Sequence, residues 1–394
     1  MSTSAQADES ILIDAATLHQ KVVVEKALDW VVVDARDKVF YLAGHIPGAV
    51  NLPWRATKAK QDGVWAAVIN DPSKLAKMLG DAGIARSDTV VVYGDPDLWG
   101  EEGRAFWLFE YIDHPRVRVL DGGIKAWTAA GYGTKMLPAK ARAKTYGEIT
   151  FDRDKVVDSA TLAKYARSSG WVVVDARSPE EYAGSIKYGE ERGGHVPGAL
   201  PMHFTSLYAD DGTFLRGDHL LDTLKSAGIP TSDNARQNAI VTAYCTGGVR
   251  SGVTYLALRL AGYAHPRNHD ESMFVYARNV ALPLDAGDGY ALVGDAMPKR
   301  LAAGNAKITQ IDTRTDAAFK LRHAEGARSL PVNEDDDEND IAARLAEVAP
   351  DKDAPLVIYG IDAKDDGARL VAKVAALSGY SNVNLVVSGF AAVR

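Results

Sequence analysis

The chain has 394 residues, of which 46% are hydrophobic and 25% charged, an ordinary globular composition whose length predicts two to four domains. Its net charge of −7 argues against nucleic acid or an anionic membrane as a partner, because both favour a basic face. A single cysteine excludes an internal disulfide and a cysteine-based zinc site. The sequence shows neither a secretory signal nor an apolar stretch long enough to span a bilayer, so we expect a cytoplasmic protein.

The first predicted unit begins with the apolar run Trp30–Asp34, which is short, continuous and β-branched, as buried parallel strands are. The turn Gly44–Ala49 (Gly-His-Ile-Pro-Gly-Ala) follows, and a second apolar run, Thr89–Tyr93, leads into a helical stretch at 103–113. Strands that alternate with helices predict an α/β fold with a parallel sheet. The residue directly after the second run is Gly94.

The second unit repeats this order. Trp171–Asp175 has the same five letters as the first strand, and Gly194–Ala199 repeats the turn. The second apolar run, Ala239–Tyr244, is followed by Cys245, the only cysteine of the chain, and then by a helical stretch. A thiol therefore stands where the first unit has Gly94.

A third, weaker copy lies near the C-terminus. It has Ile311–Arg314 as the strand end, His323–Ala327 as the turn, and Pro355–Tyr359 as the second run, followed by Gly360. Three copies at nearly equal intervals predict one domain per copy. We expect domains at 1–140, 150–288 and 300–394, with linkers near 133–150 and 285–305. The acidic run Glu334–Asp340 is expected to be a solvated loop.

The order of an Asp-x-Arg strand end, a Gly-His-x-Pro-Gly-Ala turn and a Tyr-Cys loop that opens a helix resembles the rhodanese family of sulfurtransferases. The resemblance covers nearly the whole chain. It implies three tandem rhodanese-like domains, each a parallel β-sheet flanked by helices. It also implies that the second domain is catalytic through Cys245, while Gly94 and Gly360 leave the first and third domains inactive.

The loop after the second run of the middle unit is suited to hold an anionic sulfur. Its two adjacent glycines allow backbone N–H groups to point toward one place, and the following helix N-terminus and Arg250 add positive potential. Such a loop favours the thiolate and would stabilise a persulfide. We predict that Cys245 is the nucleophile of a double displacement that needs neither metal nor organic cofactor. The residues predicted to bind the substrate in this loop are Thr246, Gly247, Gly248, Val249 and Arg250.

Residues outside the loop are assigned partly by the resemblance. It implies a substrate-binding arginine in an insertion that only the middle unit has, and we assign this role to Arg192, with Lys187 as the reserve. Ser272 could form a hydrogen bond near Cys245 or only form a turn. Four residues are predicted to be structural near the site: Asp175, Arg177, His195 and Ser272. The first three recur in the other two units.

Three alternatives concern the reaction. A phosphatase or arsenate reductase related to the rhodanese family needs a Cys-x5-Arg loop. In this chain Cys245 and Arg250 give Cys-x4-Arg. The shorter loop favours the binding of a single sulfur atom. A sulfur carrier or scaffold without turnover stays open. Within the sulfurtransferases, the neutral segment Thr246–Val249 leans toward 3-mercaptopyruvate as the donor. The charge of Arg250 and the absence of the arginine that the resemblance implies near Ala183 in mercaptopyruvate enzymes favour thiosulfate, which we prefer by a small margin. The expected partners are thus a small sulfur donor and a thiol or cyanide acceptor, and the sequence carries no signal for an oligomeric state.

Overall fold

The computed structural model describes residues 11–61, 63–138, 141–294, 308–333, 335–362 and 365–393. Its contacts divide the chain into two compact units. The first comprises Met1–Arg177 and Leu200–Ser272, and the second comprises Ser178–Ala199 and Met273–Arg394. The start of the predicted third domain, at residue 300, and part of the predicted linker 285–305 lie outside the described residues.

The first sheet of the first unit is parallel throughout, with strand order β1-β7-β6-β2-β3. A separate antiparallel hairpin, β4–β5, follows β3 in the chain. The seven strands are β1 (Leu12–Ile13), β2 (Trp30–Asp34), β3 (Val50–Asn51), β4 (Lys58–Gln61), β5 (Val64–Val68), β6 (Thr89–Tyr93) and β7 (Val117–Leu120). The two runs read as buried strands in the sequence are β2 and β6, neighbours in this sheet.

Helices connect these strands, and their ends follow common capping rules. Pro72 lies in the first turn of the third helix, and the Asp71 side chain accepts the N–H of Lys74 there, which satisfies a donor that the helix leaves free. The helices are α1 (Ala15–His19), α2 (Lys38–Ala43), α3 (Pro72–Asp81), α4 (Glu101–Tyr111) and α5 (Gly123–Ala129). A π-helical turn, Gln20–Val24, continues α1, and a 3₁₀ turn, Trp54–Thr57, precedes β4.

The second sheet is also parallel, with order β10-β8-β11-β12. The strands in this part of the chain are β8 (Trp171–Asp175), β9 (Arg192–Gly193), β10 (Leu200–Pro201), β11 (Ile240–Tyr244) and β12 (His265–Asn268). The helices are α6 (Ser159–Tyr165), α7 (Pro179–Tyr182), α8 (Gly217–Ser226), α9 (Asp233–Asn238), α10 (Arg250–Leu260) and α11 (Ser272–Tyr276), with 3₁₀ turns at Arg153–Lys155 and Phe204–Leu207.

Helices α4 and α10 pack closely within the first unit because glycines face each other where they cross. A Cβ at Gly103 would lie 2.5 Å from the backbone N of Val253, and one at Gly252 would collide with the backbone of Arg104. Phe106 and Tyr255 pack along the same contact. The close crossing fixes the N-terminus of α10, and the loop that leads into it, against the first part of the chain.

The sheet of the second unit has the order β15-β14-β16-β17-β13-β9. All neighbours are parallel except β9 and β13. The remaining strands are β13 (Ala291–Val293), β14 (Thr309–Asp312), β15 (Arg328–Ser329), β16 (Leu356–Tyr359) and β17 (Val383–Val386), and the helices are α12 (Asp316–Leu321), α13 (Glu338–Val348), α14 (Asp366–Leu377) and α15 (Phe390–Val393). The prediction of parallel sheets flanked by helices is confirmed.

One expectation from the sequence needs correction, while the predicted domain bounds stay a prediction. The segment Ser178–Ala199, predicted to belong to the middle domain, groups by its contacts with the C-terminal part, and its strand β9 forms the edge of the third sheet. The acidic run Glu334–Asp340 is not a loop throughout, since the Asp337 side chain accepts the N–H groups of Asn339 and Asp340 at the start of α13. Acidic residues stabilise that end of a helix. Among the described residues, no helix is long and apolar enough to cross a membrane.

Candidate active site

Cys245 lies at the carboxyl end of β11, a central strand with parallel neighbours on both sides. Ligands of open α/β sheets bind at this end of the strands. The thiol side chain is buried, with 1% of the residue exposed. The backbone turns here into the loop of residues 245–251, called the Cys245 loop below, which opens helix α10.

The sulfur is a hydrogen-bond acceptor inside its own loop. The backbone N–H of Gly248 donates to Sγ at 3.1 Å, and the Ser251 hydroxyl lies 3.7 Å from Sγ. Gly248 has φ +79°, and a Cβ there would lie 2.6 Å from the carbonyl oxygen of Asp270, so only glycine fits this position. Donors aimed at one sulfur stabilise its anionic form.

The pKa of Cys245 is lowered from its ordinary value. Burial is the largest influence and would raise the pKa, because it disfavours the charged thiolate. The positive charge of Arg250, the N–H and hydroxyl of Ser251, and the N–H of Gly247 together outweigh it. The loop therefore favours the thiolate, the form that acts as a nucleophile.

Arg250 is the first residue of α10 and is buried. Its Nη2 donates to Oγ1 of Thr246 at 2.8 Å, across the loop, and its guanidinium lies 5.6 Å from the centre of the Trp99 ring. Val249 is buried as well and directly precedes the helix. The five residues predicted to bind the substrate thus lie together around the sulfur, in one turn of backbone.

Ser272 lies directly behind this loop. Its Oγ accepts the backbone N–H of Cys245 at 3.1 Å and donates to the carbonyl of His269 at 2.7 Å. Its φ of +50° is in the left-handed region, where a residue other than glycine is uncommon. Both roles considered for Ser272, a hydrogen bond near Cys245 and a turn, are present at once.

Asp175 and Arg177 form a buried ion pair at 2.7 Å, and the Tyr244 hydroxyl donates to Asp175 at 2.7 Å. This links the end of β8 to the residue before Cys245. The same arrangement of Asp, Arg and Tyr ends the corresponding strands of the other two sheets: Asp34, Arg36 and Tyr93, and Asp312, Arg314 and Tyr359. A contact that recurs without a cysteine has the character of a strand anchor.

His195 lies in the second unit, with its ring stacked on Tyr182 at 3.6 Å and its Nδ1 3.0 Å from the Tyr182 carbonyl. Its backbone N–H donates to Asp285. The corresponding histidines stack in the same way, His45 on Tyr41 and His323 on Phe319. These contacts fix turns.

Arg192 does not have the surroundings expected of a substrate-binding residue. It is completely buried, and its guanidinium donates to the carbonyls of Ala277, Asn279 and Leu282 and to the side-chain oxygen of Asn384. Burial lowers its pKa to about 10. The guanidinium ties the chain after α11 to strand β17 of the third sheet, and these contacts are those of a structural residue. Substrate binding by Arg192 stays a prediction.

Lys187, the reserve for that role, is exposed. It lies 3.3 Å from the Glu180 carboxylate and 3.3 Å from the Ser178 hydroxyl. These are ordinary surface contacts of the second unit.

Two cations that the sequence analysis missed act beside the Cys245 loop, one on the loop itself and one on Asp270. The Lys58 ammonium, from β4, donates to the carbonyls of Gly247 at 2.8 Å and of Asp270 at 2.6 Å. Arg104, from α4, donates through Nε to the Asp270 carboxylate at 3.1 Å. Both side chains are buried. No motif distinguishes Lys58 from the exposed Lys60 of the same strand, so no sequence signal could have found it.

The loops without cysteine hold a carboxyl group instead. A Cβ at Gly94 would collide with the carboxyl of Glu102, and one at Gly360 would collide with that of Asp365. Asp365 also accepts the backbone N–H of Ile361 at 2.6 Å. Each of these two places is thus filled by the chain's own acid. Among the described residues, no group of three or more His, Cys, Asp or Glu could hold a metal ion.

In a comparison with known proteins, one family model matches three stretches of the chain. The model of the Rhodanese-like domain matches residues 16–130, 159–279 and 295–394. Thiosulfate sulfurtransferase of Corynebacterium glutamicum is 31% identical over 268 residues, which cover 66% of this chain and 85% of that protein. Sulfur carrier protein TtuD of Thermus thermophilus is 30% identical over 274 residues, 64% of this chain and 89% of that protein.

Among solved structures, the anaerobic ergothioneine biosynthesis enzyme from Chlorobium limicola, in complex with trimethyl histidine, matches with a TM-score of 0.61. It is 22% identical and covers 70% of each chain. At that identity the likeness concerns the fold.

Proposed function

This chain is a sulfurtransferase of the rhodanese family, and from that premise we propose that Cys245 takes sulfane sulfur from thiosulfate and passes it to a thiol or to cyanide. The observation that carries the proposal is the buried Cys245 sulfur, which accepts the Gly248 N–H and has a lowered pKa. A second support is the family resemblance of the Cys245 loop, together with relatives named thiosulfate sulfurtransferase.

In the first step, the Cys245 thiolate attacks the outer sulfur of thiosulfate. A bond forms between Sγ and that sulfur, the sulfur–sulfur bond of thiosulfate breaks, and its electron pair leaves with sulfite. No proton is transferred. The product is a persulfide anion on Cys245, and the N–H groups of the loop and Arg250 supply the positive potential that stabilises it.

In the second step, an acceptor thiolate or cyanide attacks the outer sulfur of the persulfide. The bond from that sulfur to Sγ breaks, and its electron pair returns to Cys245 as the thiolate. The acceptor leaves as its own persulfide or as thiocyanate. The enzyme form that began the cycle is restored, which gives ping-pong kinetics.

The experiment that tests this function measures thiocyanate formation from thiosulfate and cyanide. We expect Cys245→Ser to lower the rate by more than about a thousandfold, because no other thiol exists in the chain. Wild-type protein treated with thiosulfate alone should carry one cyanide-releasable sulfur per chain. Turnover that survives in Cys245→Ser would refute the assignment of Cys245 as the nucleophile.

The donor is tested by comparing kcat/KM for thiosulfate and 3-mercaptopyruvate on the same preparation, since this ratio ranks transition-state binding. A preference for 3-mercaptopyruvate above about a hundredfold would reverse the choice of donor without changing the nucleophile.

A second candidate is a sulfur carrier, which the similarity to a protein of that name favours. A carrier would take up one sulfur per chain and release it only to a specific protein acceptor. Multiple turnovers with a small thiol argue for the enzyme, whereas a single stoichiometric burst argues for the carrier.

A further inference from the structure

We propose that Lys58, on the hairpin after the first sheet, is a positioning residue that aims the Gly248 N–H at the sulfur of Cys245. The proposal rests on the proposed function, in which that sulfur is the nucleophile. Lys58 is far from Cys245 in sequence. Through Lys58, the first part of the chain takes a direct part in the chemistry of the Cys245 loop.

One peptide group connects the Lys58 ammonium to the sulfur. Its carbonyl oxygen belongs to Gly247 and accepts from the Lys58 ammonium at 2.8 Å, and its N–H belongs to Gly248 and donates to Sγ at 3.1 Å. A trans peptide is planar, with its C=O and N–H pointing in opposite directions. The ammonium on one side therefore directs the N–H toward the sulfur on the other.

This peptide needs an external anchor because both residues that flank it are glycines. Without side chains, rotation of the peptide plane meets little steric resistance. The reversed plane would present the Gly247 carbonyl to Sγ, and an oxygen there would repel the thiolate. Lys58 favours the orientation that stabilises the anion, and its positive charge polarises the same N–H.

The surroundings of Lys58 show that its ammonium is held in place. Its side chain is fully buried, with the Asp270 carboxylate at 3.3 Å and the Asp270 carbonyl at 2.6 Å. Arg104 donates to the same carboxylate at 3.1 Å and, through Nη1, to the Thr57 hydroxyl at 2.7 Å. Asp270 is thereby fixed between two cations. The Lys58 ammonium donates to Asp270 and still has an N–H that donates to the Gly247 carbonyl.

Burial of a lysine is costly, which argues against an incidental contact. Burial is the largest influence on the pKa of Lys58 and lowers it to about 8, although Asp270 and the Cys245 thiolate favour the charged form. The charged groups that act on Lys58 are Asp270, Arg104 and Cys245, and Lys58 in turn disfavours a positive charge on His269. The Cys245 thiolate is therefore close enough to favour the charged form of Lys58.

The test is the pH dependence of Cys245 alkylation by iodoacetamide, which reports the thiolate of the only cysteine whatever the sulfur donor is. We expect Lys58→Met to raise the midpoint by about one pH unit and to slow alkylation at neutral pH about tenfold. Lys58→Arg, which keeps a charged donor, should recover part of the shift. The matched control is Lys60→Met, an exposed lysine of the same strand, which should leave the midpoint unchanged.

A folded Lys58→Met variant with the wild-type midpoint would overturn the proposal. Should that variant not fold, the wild-type protein gives the answer by ¹⁵N NMR of its lysine side chains. The buried ammonium signal must then shift when Cys245 is alkylated, and a signal that does not move would also overturn it. Failure of thiosulfate turnover in the wild type would refute the proposed function while leaving this alkylation test valid.

Discussion

Two loops of the first unit each hold a buried acid at the carboxyl end of a parallel strand, and they affect its pKa in opposite directions. The Cys245 loop lowers the pKa of its thiol, whereas the Gly94 loop (residues 94–100) and the helix after it raise the pKa of the Glu102 carboxyl. Burial is the largest influence in both cases and raises both. The direction of each shift is therefore decided by the hydrogen bonds and charges that act beside burial, and the charges are what differs most in kind between the two loops.

Those charges differ in sign. Arg250 acts on the Cys245 sulfur, whereas the charged residue that acts on Glu102 is Asp95. The Tyr208 hydroxyl donates to Glu102, but it brings no net charge. The shared fold thus supplies a pocket at the strand end, and a cation beside that pocket makes it favour an anion. The Gly94 loop has the pocket without the cation, and its own carboxyl occupies the space.

The largest expected effect is that of removing this cation. Arg250→Ala should raise the pKa of Cys245, because fewer influences would then oppose the effect of burial. It should also lower kcat/KM for thiosulfate about a hundredfold. The measurements are the alkylation pH profile and steady-state kinetics. Arg250→Lys is the matched control, because it keeps the charge and loses the planar group that reaches Thr246. An unchanged alkylation midpoint in Arg250→Ala would mean that the cation does not explain the contrast between the loops.

A smaller effect is expected from crowding the pocket that has no cysteine. Gly94→Ala places a methyl group against the Glu102 carboxyl and should lower the free energy of unfolding by about 2–3 kcal/mol. In the double variant Gly94→Ala/Glu102→Ala the methyl group has room, so the two substitutions should be coupled by about 2 kcal/mol in a double-mutant cycle. Chemical denaturation of the four proteins measures the coupling.

Gly133→Ala is the control for this cycle, because a Cβ there has nothing within 4 Å and its φ is not in the left-handed region. It should change the unfolding free energy little. Additive effects of Gly94→Ala and Glu102→Ala would show that the carboxyl does not occupy the place of the missing side chain.

The fold was accessible from the sequence because its signals are local and repeated. The identical runs Trp30–Asp34 and Trp171–Asp175 are both parallel strands, and the loop after Tyr244 surrounds the sulfur with the residues that its glycines suggested. Periodic apolar runs and turn motifs report on neighbours along the chain, and a sheet of parallel strands brings the loop at the end of each strand to a defined edge.

The parts that were missed depend on long-range contacts. Lys58 reaches Gly247 across 189 residues of sequence, and nothing near Lys58 announces it. Arg192 was assigned by analogy, but its guanidinium satisfies carbonyls near Ala277 and the side chain of Asn384. The carboxyl that fills the pocket at Gly94 belongs to Glu102, in the helix after the loop, and no motif around Gly94 indicates it.

A pH-dependent effect on stability is expected from Glu101, the neighbour of Glu102. Burial, followed by the charge of Glu102, raises the pKa of Glu101 from 4.5 to about 8. Between these values the folded protein retains a proton that the unfolded chain releases, so this group makes the folded state less stable as pH rises from 4.5 to 8. Glu101→Gln removes that dependence. Its melting temperature should match the wild type near pH 4.5 and exceed it increasingly toward pH 8.

Glu148→Gln is the matched control, an exposed glutamate whose replacement should give no such trend. A constant difference between Glu101→Gln and the wild type across this range would mean that Glu101 is already ionised in the folded protein. The Gly94 loop would then tolerate a buried carboxylate without a cation. In that case the opposite pKa shifts of Cys245 and Glu102 could not be attributed to Arg250 alone, and the backbone N–H groups of the two loops would have to account for more of the contrast.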